Sequence, residues 1–125
     1  MNINLFPPAL IFFTDNLPDG VGGRANGPVV RIKTKYERDF GMIEHELEHV
    51  RQWWVTLGLH PFLYACSKTY RLWSEASAYA KQVGMFDANR EITRLDVVVE
   101  RFARVGYGLN LTKEQIEKQI LKRLG

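Results

Sequence analysis

The sequence predicts an α+β fold: a small N-terminal sheet, antiparallel or mixed, followed by packed helices. Three observations predict it. The text before residue 40 consists of short β-forming runs broken by turn residues. The text after it carries apolar residues at steps of three and four, the period of a helix. No stretch rich in Pro, Gly or Ser divides the 125 residues, so they are expected to form one domain, residues 1–125.

The first strand is read from Ala9 to Thr14, where β-forming types crowd together. Asp15-Asn16-Leu17-Pro18-Asp19-Gly20 is turn chemistry, and Gly22-Gly23 and Asn26-Gly27-Pro28 keep the next stretch irregular. Val29, Val30, Arg31, Ile32 and Lys33 form the next strand. Pro28 and the nearby charges mark it as an edge.

The strongest helix follows. Phe40, Ile43, Leu47, Val50, Trp54 and Leu57 share one face, Asp39 is placed to cap the start, and Gly58 and Pro61 mark the end. A loop from His60 to Ser67 leads to a helix over Lys68 to Val83. A third helix is read from Asp87 to Val105, with Ile92, Leu95, Val99, Phe102 and Val105 inward. Thr112-Lys113-Glu114-Gln115 is a capping box that opens a last helix reaching about Leu124. Trp53, Trp54 and Trp73 are assigned to the core, and the basic residues of the last helix to its solvated face.

Composition excludes several classes. Hydrophobic residues make up 46% and charged residues 25%, which rules out a disordered chain. The net charge of +3 is spread along the chain without a basic stripe, so no nucleic-acid partner is expected. The longest apolar run, Ala9 to Phe13, is too short to cross a bilayer, and no signal peptide is legible. The expectation is a cytoplasmic protein with no membrane partner. The single cysteine, Cys66, excludes an internal disulfide and a cysteine zinc cluster, and is read as a structural thiol.

His45-Glu46-Leu47-Glu48-His49 is an H-E-x-x-H motif on the strongest helix. Residues four apart on a helix stand about 6 Å apart along its axis and about 40° apart around it. Two imidazoles so placed can reach one zinc ion. Stepping about 100° per residue from Phe40, the apolar residues fill an arc from about 220° to about 360°. His45 and His49 border that arc. Glu46 falls inside it, whereas Glu44, Glu48 and Arg51 lie on the opposite, solvated side. A carboxylate inside an apolar arc needs a partner, either a metal with its bound water or a Lys or Arg from another element.

A third ligand is required. Gln52 and Val55 stand where a metzincin has Gly and His, which excludes that class. His60 lies in the expected loop after Gly58. Glu75 is the better candidate, because Ser74, Ala76, Ser77, Ala78 and Ala80 let its helix approach the histidine helix closely. Arg71, one turn before Glu75, and Tyr79, one turn after, are placed to orient it.

His45-Glu46-x-x-His49, followed by Glu75-x-x-Ala78-Tyr79, resembles the gluzincin metallopeptidases, most of all their minimal members, the minigluzincins. The resemblance covers about residues 28–83. It implies one Zn2+ per chain held by His45, His49 and Glu75, with Glu46 as catalytic base. Many gluzincins have Asp four residues after the third ligand, bonded to a ligand histidine, where this chain has Tyr79. The implied activity is hydrolysis of a peptide or protein substrate by a metal-activated water. Tyr79, Tyr107 and His60 are candidates for a further oxyanion donor, and the strand Val29 to Lys33 for pairing with an extended substrate. The alternative is a non-catalytic zinc-binding or interaction module on the same fold. A purely structural zinc site has no need of the Glu46 base and usually has four protein ligands.

Overall fold

A computed structural model describes residues 2–124 and shows an N-terminal sheet followed by five helices, the expected α+β arrangement. Four strands form the sheet: β1 (Asn2–Leu5), β2 (Pro8–Phe13), β3 (Gly23–Asn26) and β4 (Val29–Ile32). Their spatial order is β1-β2-β4-β3. β1 runs antiparallel to β2, β3 runs antiparallel to β4, and β2 pairs with β4 in parallel, so the sheet is mixed.

β1 and β3 are additional to the strands the sequence predicts, and β3 moves the edge. Gly22-Gly23 and Asn26-Gly27-Pro28 build a hairpin, with Asn26 opposite Val29 and Gly27 at φ 58° as a tight turn requires. Val29 to Ile32 is therefore flanked on both sides and is not an edge, and Lys33 lies beyond the strand. Arg31 points to the exposed face while Val30 and Ile32 are fully buried, so its charge marks a solvated face. The free edge on this side is β3.

α1 (Phe40–Val55) begins at Asp39, whose side chain accepts from the Met42 N–H as expected. It ends before Leu57, which takes φ 53° and is 90% exposed rather than inward. α1 lies between the sheet and α3 (Lys68–Gln82), and so buries two faces. Leu47 and Val50 join Ala9, Ile11, Val30 and Ile32 in one core. The opposite arc, expected in solvent at Glu48, is pressed on α3, and Glu48 is buried. Trp54 is largely exposed rather than core, and its indole N–H donates to Pro8 O.

α2 (His60–Cys66) occupies the expected loop; Pro61 sits in its first turn, where proline favours helix. Cys66 at its end is exposed. The small face of α3 is buried as expected. At the crossing with α1, a Cβ on Gly41 would stand 2.9 Å from Gln82 Cγ, so glycine permits the approach. α4 (Leu95–Val105) starts eight residues later than expected, because Asp87 accepts from the N–H groups of Asn89 and Glu91 and folds that segment into a turn. Ile92 and Val105 are exposed rather than inward. α5 (Lys113–Leu121) opens with the expected capping box at Thr112 and Gln115. Ala76, Tyr79, Ala80, Val98, Val99, Phe102, Ile116 and Ile120 form the second core. Among the described residues, no helix is long and apolar enough to cross a membrane.

Candidate metal centre

The pairing of α1 with α3 brings His45, His49 and Glu75 together, with one ligand atom from each within 4.8 Å of the others. His45 Nε2 lies 3.5 Å and His49 Nε2 3.2 Å from Glu75 Oε1. Two ligand atoms held tetrahedrally by one zinc ion stand about 3.3 Å apart. Glu75 Oε1 is buried and makes no hydrogen bond. A buried carboxylate oxygen facing two imidazole nitrogens at these distances fits a cation, and this group could hold a metal ion.

The far side of each ligand is held in place. Gln82 Oε1 lies 3.2 Å from His45 Nδ1. An amide oxygen only accepts, so this nitrogen donates and Nε2 turns its lone pair inward. His49 Nδ1 lies 3.1 Å from both Gln52 Oε1 and Ser74 Oγ. The Gln52 amide is oriented in turn, its NH2 donating to Glu48 Oε2 and to Ser74 O, each at 3.1 Å. Arg51 closes this chain with two hydrogen bonds to Glu48. Glu75 Oε2 accepts from the Tyr64 hydroxyl at 2.5 Å.

The electrostatics favour a positive charge between the ligands. Burial works against a charged His49, but the Glu75 carboxylate outweighs it and raises the imidazole to about 9. Burial alone would raise Glu75; the facing histidines instead hold it well below the usual carboxylate range.

A cleft of about 1080 Å³ opens over the group. Glu46 lines it and is buried, and among the described residues it forms no ion pair with Lys or Arg. A Cβ on Gly23 would come within 3.4 Å of Glu46 Cγ and 2.7 Å of Ile32 Cδ1, so a glycine lets β3 lie against Glu46. Residues 22–27 line the cleft, whereas Val29, Val30, Arg31, Ile32 and Lys33 do not.

The remaining candidates separate. His60 lines the cleft, and its ring lies 5.8 Å from that of His49, outside the ligand group. Its Nδ1 is 2.7 Å from the Tyr70 hydroxyl, and burial together with the His49 charge lowers it to about 4. Tyr79 packs its ring edge-on to His45 but does not replace the aspartate of the gluzincin pattern: its hydroxyl pairs with that of Tyr107 at 2.7 Å. Burial, chiefly, pushes Tyr79 up to about 12 and Tyr107 further, so both keep their protons. Arg71 forms no hydrogen bond or ion pair with Glu75 among the described residues. It donates to the backbone carbonyls of Tyr64, Ala65 and Tyr107, and so ties α2 and the Tyr107 turn to α3.

Gln52, Ser74, Gln82 and Tyr64 were missed in the sequence. The first three had a signal, being polar residues on the faces where two helices with small contact residues meet. Tyr64 had none, since its helix was read as a loop. No family model, no curated protein and no solved structure matches this chain.

Proposed function

We propose that the chain is a zinc-dependent peptidase of gluzincin type. One observation carries this reading: two imidazoles and the buried Glu75 oxygen converge at zinc-ligand spacing, in the same cleft as the buried Glu46. His45, His49 and Glu75 would hold the ion. When bound, zinc supplies Lewis acidity, which lowers the pKa of water toward neutrality and polarises a carbonyl.

The chain's own groups supply the rest. Glu46 has no Lys or Arg ion pair among the described residues, so its carboxylate is free to take a proton from water and pass it to the leaving amine. The Tyr79–Tyr107 pair shares one proton internally and keeps a second hydroxyl hydrogen to offer to the cleft. His60 is neutral; with the Tyr70 hydroxyl donating to its Nδ1, the other ring nitrogen carries the hydrogen and is available to donate. Either can stabilise negative charge developing on a carbonyl oxygen. The free edge of β3 beside Glu46 suits an extended peptide added as a fifth strand.

The test is cleavage of a peptide library by purified protein, followed by mass spectrometry. Cleavage that stops with chelator and returns with zinc is expected. Cleavage that continues in metal-free protein contradicts the proposal.

A further inference from the structure

The cleft carries cations that the proposed hydrolysis does not use. Arg101 and Arg104, one turn apart on α4, both line it. Arg101 Nη1 is buried and makes no hydrogen bond, and neither side chain forms an ion pair among the described residues. A guanidinium nitrogen withdrawn from water without an acceptor is costly, so it calls for an anion.

Among the described residues, no carboxylate forms an ion pair with Arg101 or Arg104. Of the acidic residues lining the cleft, Asp39 caps α1, Glu75 faces the two histidines, and Glu46 lies against β3. Glu100, the nearest acid on α4, is engaged by Lys113 at 2.7 Å. Arg24, on the exposed face of β3, adds a third cation to the lining and likewise has no ion pair. The α4 side of the lining thus carries two guanidinium groups without an ion pair among the described residues.

We infer that Arg101 and Arg104 form a carboxylate-recognition subsite, so that the preferred substrates are peptides presenting an anionic group to α4. This rests on the peptidase reading. The anion has two sources in a peptide, the C-terminal carboxylate or an Asp or Glu side chain, and a forked guanidinium donates to both in the same bidentate way.

Three peptidyl hydroxamates test it by calorimetric binding to zinc-loaded protein. One ends in a free carboxylate, one in a neutral carboxamide, and one in a carboxamide with a glutamate side chain in the preceding residue. The expected result is that the parent binds one or both anionic forms about 10-fold more tightly than the neutral form. Arg101→Met should bring that preference to within about twofold and leave the affinity of the neutral form unchanged. Arg104→Glu, at an exposed position, gives a second reading should Arg101→Met fail to fold, and should also abolish the preference. The arm that binds tightly identifies the source of the anion. Equal binding of all three to the parent, or a preference that survives both variants, overturns the subsite alone. Failure of every hydroxamate to bind the zinc-loaded parent overturns the peptidase reading and the subsite with it.

Discussion

Gln82 Oε1 lies 3.2 Å from His45 Nδ1, two turns beyond Glu75 on the same helix. One helix thus supplies both a candidate ligand and the group that fixes the tautomer of another. A Cβ at residue 41 would crowd Gln82, so the bare backbone of Gly41 is part of the same arrangement.

Gln82→Met keeps the length of the side chain and removes the acceptor. Zinc affinity, measured by competition with a chelating dye, should fall about 10- to 100-fold, while the folded circular dichroism spectrum is retained. Unchanged affinity would show that Gln82 only fills space.

Glu75 and His60 are distinguished by the same titration. Glu75→Ala removes the oxygen that both histidines face and should weaken zinc binding by orders of magnitude. His60→Ala lies outside the ligand group and should change it less than about threefold. The reverse ranking would make His60 the third ligand and dissolve the gluzincin resemblance.

The stability of chelated, metal-free protein should depend on pH through the His49–Glu75 pair. His49 is raised from 6.5 to about 9, so its contribution is complete below about 6.5 and is lost as pH rises through about 9. Glu75 is depressed from 4.5, so its contribution is present above 4.5 and is lost at lower pH. The pair therefore stabilises most between about 4.5 and 6.5. Melting temperature should fall from pH 6.5 to pH 9, and His49→Gln should flatten that slope. An equal slope in parent and variant would show that the pair contributes nothing.

Residues legible in the sequence and residues hidden from it differ in one physical respect. Asp39, the capping box at Thr112 and the two histidines of α1 are local patterns, readable from neighbours in the chain. Glu75 was legible because small residues around it announced a close helix contact. Glu48 and Gln52 were misread or missed, because a helical wheel finds one apolar face while α1 buries a second, polar one against α3. The edge strand was misplaced for a similar reason: a four-residue strand of Gly, Arg, Ala and Asn has little β propensity, and only pairing with β4 holds it. Where tertiary contact decides, local pattern is silent.

Glu46→Gln separates metal binding from hydrolysis when zinc content and peptide cleavage are measured on one sample. Glutamine matches the shape of Glu46 against Gly23 but does not accept a proton from water at neutral pH. The expected result is about one zinc per chain in both proteins, with cleavage by the variant reduced at least about 100-fold. A variant that holds zinc and cleaves at the parent rate would contradict the account.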